Sequence, residues 1–461
     1  MGRKGRGCNG WDMDADLIRK YDRPIPRYTS YPTAPHFHAG VGADTARQWL
    51  EELPADLPLS LYIHIPFCDT LCWFCGCHTK IVRRYQPVAD YLELLEREIR
   101  IVAKRLGRPQ PVSHMHFGGG SPTIMKGDDV RRLGEAIREE FDVAEDAEWA
   151  VEIDPRDLGP DVLQAFADIG VNRASIGLQD INPLVQQAIN RIQPMDETAA
   201  VIAELRAAGV KALNLDLMYG LPYQTRDHVI RTVDAALALD PDRLALFGYA
   251  HVPHMKTHQK MIPERALPDG PARFEQAEAA AARLVEAGYR RIGLDHFARA
   301  DDPMAVALDA GRLQRNFQGY TTDRASALWG LGASAIGSLP QGYIQNAVPL
   351  HAYREAIQQG RLAVAKGIAL SDDDRIRRAA IEQLMCTLSL DLAAFRSAHD
   401  LAPDTFAAEM AALAGMQADG LVRLDGERIV VTEAGRPFVR CVAAVFDTYL
   451  GHGAARHARA V

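Results

Sequence analysis

Short apolar runs alternate with amphipathic helical patterns through the middle of the chain. Glycine, proline or polar residues bound each run, which is typical of buried strands, and apolar residues three and four positions apart indicate helices between them. The predicted strands cover residues 61–66, 114–119, 149–154, 173–179, 211–220 and 243–251. The predicted helices cover residues 85–106, 127–141, 160–169, helical stretches to 208, 226–239 and 271–288. This alternation predicts six successive parallel β-α units, an α/β fold.

Six units are too few for a complete eight-fold barrel, so they fit an open six-unit barrel or a doubly wound sheet. The glycines and polar residues favour the barrel, because they recur where each predicted strand ends. In a (β/α) barrel those carboxyl ends form one face, where catalytic groups gather. The residues concerned are the cysteine-rich loop 68–77, the glycine-rich turn 118–121, Glu152, Asp154, Gln179, Asp216 and the segment 249–251.

The first 60 residues form a predicted N-terminal arm. Residues 1–16 are predicted to be mobile, and the remainder is rich in proline and aromatic residues without a regular period. Two interpretations remain open at this stage. The arm either packs irregularly on the surface or covers the mouth of the active site with Arg27, Tyr28 and Tyr31 facing substrate.

Two further segments follow the predicted barrel of residues 61–290. Residues 291–370 are predicted to form an accessory layer that closes over the barrel face. Residues 371–461 are predicted to form a mostly helical, winged-helix-like domain, with a hairpin turning at Asp425-Gly426 and a last helix near Glu433. Winged-helix domains often bind DNA, but the helical pattern here is apolar and acidic, so we interpret this domain as a scaffold or lid.

Composition excludes several classes of protein. The 461 residues carry a formal net charge of −8, which gives no basic field for nucleic acid or an anionic membrane. No apolar run approaches the roughly 20 residues of a membrane span. Four of the seven cysteines lie in one short loop, which argues against a secreted disulfide framework and predicts a reducing cytoplasm. Cys8, Cys386 and Cys441 are isolated and are predicted to be ordinary free thiols.

The cysteine-rich loop is the strongest chemical signal. Cys68, Cys72 and Cys75 have the spacing C-x-x-x-C-x-x-C, from which three thiolates converge on a metal or an iron–sulfur cluster. Three protein ligands leave one iron of a cubane cluster open, and an open position distinguishes a catalytic centre from a structural one. A zinc site with Cys77 or His78 as fourth ligand, and a pair of redox thiols, are the alternatives.

The other candidates depend on this loop for their interpretation. By itself the run HFGGGSPT at 116–123 predicts a tight turn, but next to a cysteine cluster its glycines also allow a ligand to approach the backbone. Glu152 follows alternating apolar residues, so it is expected to point into the barrel as an internal ion pair or as a ligand-binding carboxylate. The same two interpretations apply to Asp216, whereas Gln179 and Arg191 are weaker candidates.

The motifs as a set resemble the oxygen-independent coproporphyrinogen III oxidases, a family of radical S-adenosylmethionine (SAM) enzymes. In chain order the matching segments are PRYTSYPTA, YIHIPFC with CGC, GGGSPT, EIDP, YAHVP, DHFA, NFQGYTT, KGIALS and FDTYL. Ser121 stands where threonine is usual and keeps the hydroxyl. The fourth cysteine and NFQGYTT distinguish this family from the related radical SAM haem chaperones, which usually lack both.

The resemblance implies an open, three-quarter TIM-like (β/α)6 barrel and specific roles for single residues. Cys68, Cys72 and Cys75 would hold one [4Fe–4S] cluster, and Cys77 would stay outside it. A first SAM would contact Tyr62, Gly119, Gly120, Ser121, Glu152 and Ile336. A second SAM would contact Phe74, Gln179, Arg191, Asp216 and Ala250. Tyr62, Cys77 and Gln318 are the implied catalytic residues.

The implied reaction converts two propionates of coproporphyrinogen III into vinyl groups, giving protoporphyrinogen IX. A 5′-deoxyadenosyl radical would take a hydrogen from the carbon β to the carboxylate, and loss of CO₂ and one further electron would leave the vinyl. Arg27 and other arginines of the arm are candidates for the substrate carboxylates. The expected partners are the substrate and an electron donor such as flavodoxin, the expected state is a monomer, and the alternatives are a haem chaperone and a DNA-binding redox regulator.

Overall fold

One mixed sheet of twelve strands organises the computed structural model, which describes residues 15–156 and 158–451. Its strands in chain order are β1 (Leu59–Ile65), β2 (Pro111–Gly119), β3 (Asp142–Ile153), β4 (Arg173–Gln179), β5 (Ala212–Tyr219), β6 (Arg243–Gly248), β7 (Arg290–Ile292), β8 (His296–Ala298), β9 (Ala327–Leu331), β10 (Ile336–Leu339), β11 (Gly342–Asn346) and β12 (Val364–Ala369). Across the sheet the order is β12-β11-β10-β9-β1-β2-β3-β4-β5-β6-β8-β7.

The six predicted β-α units are confirmed, because β1 to β6 are parallel neighbours in chain order. The helices of these units are α1 (Gln86–Leu106), α2 (Gly127–Glu140), α3 (Pro160–Asp168), α4 (Met195–Ala207), α5 (Arg226–Leu237) and α6 (Gly270–Glu286). Among the described residues no pairing joins the two edge strands, β7 and β12. The sheet is therefore open, as the sequence predicts for a six-unit barrel.

The two faces of the sheet differ in polarity. Leu59, Leu61 and Ile63 of β1 are fully buried in the main apolar core, together with residues of the surrounding helices. The residues between them face the opposite side, because side chains alternate along a strand. On that side the neighbouring strands carry polar groups, and Tyr62 lies level with His116 of β2. We call this polar inner face the lumen.

The segment predicted as an accessory layer, 291–370, supplies strands to both edges of the sheet. β7 and β8 pair antiparallel beside β6. On the other edge β9 lies parallel to β1 and is followed by the antiparallel strands β10, β11 and β12. The seventh parallel strand, β9, was not predicted from the sequence, because no helical crossover pattern precedes it. The domain boundaries at 61, 291 and 371 stay predictions.

The C-terminal segment combines short helices with a small sheet of β13 (Ser389–Asp391), β14 (Val422–Asp425) and β15 (Arg428–Val431). The predicted hairpin is confirmed, and Gly426 has the positive φ of +62° that its turn requires. The helix predicted near Glu433 is wrong in position, since a 3₁₀ turn at Arg436–Phe438 precedes it. The helices here are Asp372–Thr387, Leu392–Ala398, Ala407–Ala412, Ala414–Ala418 and Val439–Ala443.

The N-terminal arm packs against this C-terminal segment. Its helix Ala15–Tyr21 places Ile18 and Tyr21 in an apolar cluster with Phe438 and Val442. Residues 15 and 16, predicted to be mobile, begin this helix, while the rest of that prediction lies outside the described residues, as does Cys8. The other helices outside the six units are Ala43–Glu51, Pro183–Ala188, Pro303–Asp309 and Leu350–Gln358.

Two further sequence predictions, about the isolated cysteines and about membrane-spanning segments, can be compared with the structure. Cys386 and Cys441 are buried free thiols, as the sequence predicts. Among the described residues, no helix combines the length and the apolar character that crossing a membrane requires.

A buried carboxylate ties α1 to the far edge of the sheet. Glu98 is 1 % exposed and accepts hydrogen bonds from Tyr353 Oη at 2.8 Å, Asn346 Nδ2 at 2.8 Å and Gly332 N at 2.6 Å. Burial raises the pKa of Glu98 to about 7, although these three bonds oppose the shift. The group therefore holds its proton in the folded protein at pH values where the unfolded chain has lost it.

We expect this carboxyl to make stability fall as pH rises. Between about pH 4.5 and 7 the folded state binds more protons than the unfolded state, so the free energy of unfolding decreases with pH, by up to about 3 kcal/mol from this group. Glu98→Gln removes the titration, and urea unfolding at several pH values should give a flatter profile for that variant. Equal pH slopes for the two proteins would contradict the assignment.

Candidate active site

The cysteine loop leaves the carboxyl end of β1 and returns beside it. A short parallel ribbon pairs Phe67–Cys68 with Lys80–Ile81, so Cys68 is anchored immediately after the strand. Thr79 Oγ1 donates to Cys68 Sγ at 3.2 Å, and burial raises the pKa of this thiol to about 12. Thr79 was missed by the sequence analysis, since a lone threonine after a cysteine run carries no distinctive signal.

Cys72 is the buried member of the cysteine set and lies among arginines. Arg156 Nη2 donates to its Sγ at 3.4 Å and Arg191 Nη1 at 3.6 Å. Both guanidinium groups also bind Asp154, at 2.6 and 2.9 Å. Burial alone raises the pKa of Asp154, but the two arginines lower it to about 2. The sulfur of Cys72 is therefore held between two guanidinium groups that are themselves fixed by Asp154.

Cys75 and Cys77 interact with each other at the end of the loop. The Cys77 amide donates to Cys75 Sγ at 3.4 Å. A hydrogen bond from the Cys77 thiol is the main cause that lowers the pKa of Cys75 to about 6, and the same bond raises the pKa of Cys77. Cys77 is exposed, whereas Cys75 is half-buried.

A second segment, 256–259, holds the loop by its backbone carbonyls. Lys256 Nζ donates to the Cys77 carbonyl at 2.9 Å, and His258 Nε2 donates to the Cys75 carbonyl at 2.8 Å. Gln259 Nε2 donates to the carbonyls of Phe74 at 3.1 Å and Ala250 at 3.3 Å. Sequence reasoning missed these three residues, because they are about 180 positions from the cysteines and belong to no recognised pattern.

The donor set fits a cluster better than a single ion. Across residues 15–156 and 158–451, no three histidine, cysteine, aspartate or glutamate side chains are close enough to share one metal ion. In a cubane each thiolate binds a different iron, so its ligands need not meet at one point. Cys68, Cys72 and Cys75 come from a single loop, and each sulfur has its own supporting contact.

The glycine-rich turn packs directly against the cysteine loop. Gly119 has a φ of +114°, and a Cβ on it would lie 2.6 Å from the His64 ring. A Cβ on Gly120 would lie 2.5 Å from the Phe67 carbonyl oxygen. The Ser121 amide donates to that same oxygen at 2.8 Å. These glycines are therefore needed for the close approach of the two loops, in addition to any ligand they admit.

Glu152 lies on the lumen side of β3, next to this turn. Its carboxylate accepts from the Gly119 amide at 3.1 Å and pairs with His116 Nε2 at 3.1 Å. Desolvation raises its pKa, but the contacts with His116 and Gly119 lower it overall, so the group is ionised at neutral pH. Because 41 % of the side chain is still accessible, the carboxylate can accept further hydrogen bonds from a ligand.

Tyr62 shares the lumen with these groups. Its hydroxyl is 3.0 Å from His64 Nδ1, and His64 Nε2 donates to the His78 carbonyl at 3.1 Å. The tautomer that this requires leaves Nδ1 as an acceptor, so the Tyr62 hydroxyl donates to it. Burial lowers the pKa of His64, which keeps the ring neutral. Ile336 lies on β10, two strands from Tyr62 in the sheet. Between them Gly330 of β9 is level with Tyr62, and its missing Cβ leaves room for the Ile336 carbonyl.

A second group of predicted residues lies along β4, β5 and the end of β6. Gln179 has a φ of +66° at an irregularity in the β4–β5 pairing, which is unusual for a residue with a side chain. Asp216 accepts from Ser175 Oγ at 2.9 Å and Asn214 Nδ2 at 2.8 Å. Burial raises the pKa of Asp216 to about 6, and the nearby charge of Glu152 contributes.

Phe74 and Ala250 lie close to each other, because Gln259 Nε2 donates to both of their carbonyls. Arg191 is buried and binds the Gly177 carbonyl at 2.6 Å in addition to Asp154. Gln318, in contrast, is exposed at the turn between Gln314–Asn316 and Gly319–Thr321. Within the described residues, the structure records no contact between its side chain and the cysteine loop.

Comparisons with known proteins agree with this geometry. The profile of the Radical SAM superfamily matches residues 62–236, and that of the HemN C-terminal domain matches residues 370–438. The oxygen-independent coproporphyrinogen III oxidase of Bradyrhizobium diazoefficiens is 53 % identical over 450 residues, which are 97 % of this chain and 100 % of the relative. The protein of that name in Escherichia coli K12 is 43 % identical over 95 % of this chain and 96 % of its own length.

A solved structure agrees over nearly the whole chain. The coproporphyrinogen III oxidase of Escherichia coli, described as a radical SAM enzyme, superimposes with a TM-score of 0.89. Its sequence is 40 % identical, and the match covers 96 % of this chain and 100 % of that one.

Proposed function

This chain belongs to the family of oxygen-independent coproporphyrinogen III oxidases. From that membership we propose which residues hold the cofactors and which take part in the reaction. The family reaction is the oxidative decarboxylation of coproporphyrinogen III in haem biosynthesis, and radical SAM enzymes carry a [4Fe–4S] cluster and SAM. The observation that supports these residue roles most directly is the position of Glu152 and Gly119 beside the cysteine loop.

Cys68, Cys72 and Cys75 are the proposed ligands of one cluster. When bound, the cluster and SAM supply a carbon-centred radical that takes a hydrogen atom from the substrate propionate. The protein holds Cys72 near two arginines and fixes the other end of the loop through Lys256, His258 and Gln259. Cys77 remains outside the cluster, where its amide contacts Cys75.

A first SAM is proposed to lie in the lumen against Tyr62, Gly119, Gly120, Ser121, Glu152 and Ile336. Glu152 supplies the negative charge there, since its carboxylate is ionised and partly accessible. A carboxylate in that state suits a ligand ammonium or ribose hydroxyl. The neutral ring of His64 fixes the Tyr62 hydroxyl, which then presents its own lone pairs to the ligand.

A second SAM is proposed to lie against Phe74, Gln179, Arg191, Asp216 and Ala250. Gln259 supports this grouping, since it joins the backbone of Phe74 to that of Ala250. The catalytic roles of Tyr62, Cys77 and Gln318 belong to the same proposal. An electron donor such as flavodoxin, a monomeric state and a cytoplasmic location complete the proposal.

The decisive experiment is anaerobic turnover of the reconstituted protein with coproporphyrinogen III, SAM and a reductant. We expect protoporphyrinogen IX and 5′-deoxyadenosine, both measured by mass analysis, and their ratio gives the number of SAM molecules used for each vinyl group. Protein without SAM is the matched control and should release neither product. Tight binding of haem without any decarboxylation would contradict the proposal.

A further inference from the structure

A row of level residues crosses the sheet from the proposed first SAM site to the edge strand β12. Tyr62 of β1 is level with Gly330 of β9, which lies next to Ile336 of β10. Ile336 is level with Gln345 of β11, and Gln345 is level with Lys366 of β12. Side chains that are level on neighbouring strands project from the same face of a sheet. Since Tyr62 projects into the lumen, Lys366 projects into it as well.

The backbone of β12 fixes the direction of this lysine. Gly367 faces the other side of the sheet, because a Cβ on it would lie 2.7 Å from Val41 of the main apolar core. His38 of the N-terminal arm pairs with Gly367 through two backbone hydrogen bonds, of 2.8 and 3.0 Å, which hold the edge strand in place. Side chains alternate along a strand, so Lys366 is held toward the lumen.

The ammonium group of Lys366 lies near the tip of the cysteine loop. Burial is the main cause that lowers the pKa of His78, and the charge of Lys366 is among the further causes, which places this lysine close to the ring. Lys256, on the other side of the loop, already donates to the Cys77 carbonyl at 2.9 Å. The side chain of Lys366 is half-buried, and within residues 15–156 and 158–451 it has neither a hydrogen bond nor an ion pair. It is therefore available to an anion in the lumen.

Apolar side chains border Lys366 on this face. Ile368 is the next residue of β12 on the same side, and it belongs to an apolar cluster with Tyr343 of β11. Ile336 and Phe317 pack against that cluster and stay partly exposed. The ring of Phe317 meets the ring of Tyr343 edge to face, with 5.6 Å between their centres. An apolar surface with a lysine at its border therefore lies beside the proposed first SAM site.

We propose that Lys366 binds one propionate carboxylate of the substrate, whose macrocycle lies against Ile336 and Phe317. The inference rests on the proposed function, which supplies an apolar macrocycle with four carboxylates. Transfer of a hydrogen atom needs contact between the two reactants, so the substrate lies beside SAM in the lumen. The proposed partners of the first SAM extend across the sheet only as far as Ile336, and Lys366 is two strands beyond it. An ammonium group forms a charge-assisted hydrogen bond with a carboxylate.

The test compares Lys366→Gln with the wild type in the binding of coproporphyrin III, the oxidised macrocycle with the same four carboxylates. Porphyrin fluorescence measures the affinity of the anaerobically reconstituted protein without SAM. We expect Lys366→Gln to weaken binding about tenfold, because one charge-assisted hydrogen bond is lost. The KM for coproporphyrinogen III should rise by a similar factor. Lys366→Arg keeps the positive charge and should restore most of the affinity.

Lys211→Gln is the matched control, because Lys211 is an exposed lysine directly before β5, at the opposite end of the strands from the cysteine loop. It should bind coproporphyrin III as the wild type does. Iron content and SAM affinity, measured by calorimetric titration, should be equal in all variants.

Three results would overturn the inference and leave the proposed function intact. The first is wild-type porphyrin affinity in Lys366→Gln. The second is a comparable loss of SAM affinity in that variant, which would assign the lysine to the carboxylate of SAM. The third is a loss of iron in both Lys366→Gln and Lys366→Arg, which would make the lysine a support of the cysteine loop. A wild type that binds the porphyrin without forming a vinyl product would overturn the proposed function instead.

Discussion

Replacing Cys68, Cys72 or Cys75 with serine is expected to reduce both cluster content and turnover to background. Each thiolate would bind a different iron, so removal of any one leaves an iron without its protein ligand. Cys72→Ser should be the most damaging to the fold as well, since its sulfur accepts from Arg156 and Arg191 in a buried position. Iron and sulfide content, the electron paramagnetic resonance signal of the reduced protein and product formation measure the effect.

Cys77→Ser is the informative control for this series. The side chain is two residues from Cys75 and exposed, so the loop keeps its length and its backbone contacts with Lys256 and His258. We expect this variant to retain a full [4Fe–4S] cluster and to lose activity only. If it lost iron together with the other three, Cys77 would be a ligand and the open coordination position would not exist.

Glu152→Gln is expected to weaken SAM binding about tenfold to a hundredfold, because the substitution removes the charge from a charge-assisted hydrogen bond. The amide keeps the size of the side chain, and its oxygen still accepts from the Gly119 amide or from His116. Cluster content should therefore stay at the wild-type level. Calorimetric titration of the reconstituted variant with SAM provides the measurement.

Glu148→Gln is a matched control on the same strand. Glu148 lies four residues earlier on the same face of β3 and pairs with Arg173 at 3.0 Å, so its substitution also removes a lumen carboxylate. We expect that variant to bind SAM normally, even if its stability falls. Equal SAM affinity for Glu152→Gln and the wild type would remove Glu152 from the proposed site.

Local patterns account for most of what the sequence predicted correctly. The limits of β4 at 173–179 agree with the prediction residue for residue, and α1 and α2 begin or end within one residue of theirs. Alternation of apolar and polar residues is a property of neighbouring positions, so it can be recognised from the sequence alone. The sequence likewise predicted that the cysteine loop, the glycine-rich turn and Glu152 lie at one end of the strands, because parallel β-α units place all carboxyl ends on the same side.

Contacts between distant segments needed the tertiary structure. The sequence did not predict that β9 pairs beside β1, that 256–259 holds the cysteine loop, or that Arg273 stacks on Tyr219. Gln318 lies on an exposed turn, and the catalytic role that the family resemblance implies for it stays a prediction. Such contacts depend on the packing of surfaces that are far apart in the chain, which no local spacing specifies.

The alternation of apolar and polar residues thus determined the six parallel β-α units by itself, because such a pattern involves only neighbouring positions. The motifs as a set indicated the family through their resemblance, whereas the cysteine spacing alone left an iron–sulfur cluster, a zinc site and redox thiols open. Only the folded chain decided which partners each group has: His116 and the Gly119 amide for Glu152, Arg156 and Arg191 for Cys72. It also decided that Arg27 of the N-terminal arm and Arg273 of α6 both lie next to Gly248. Hydrogen-bond partners and charge clusters are set by distances in space, and the sequence records only distances along the chain.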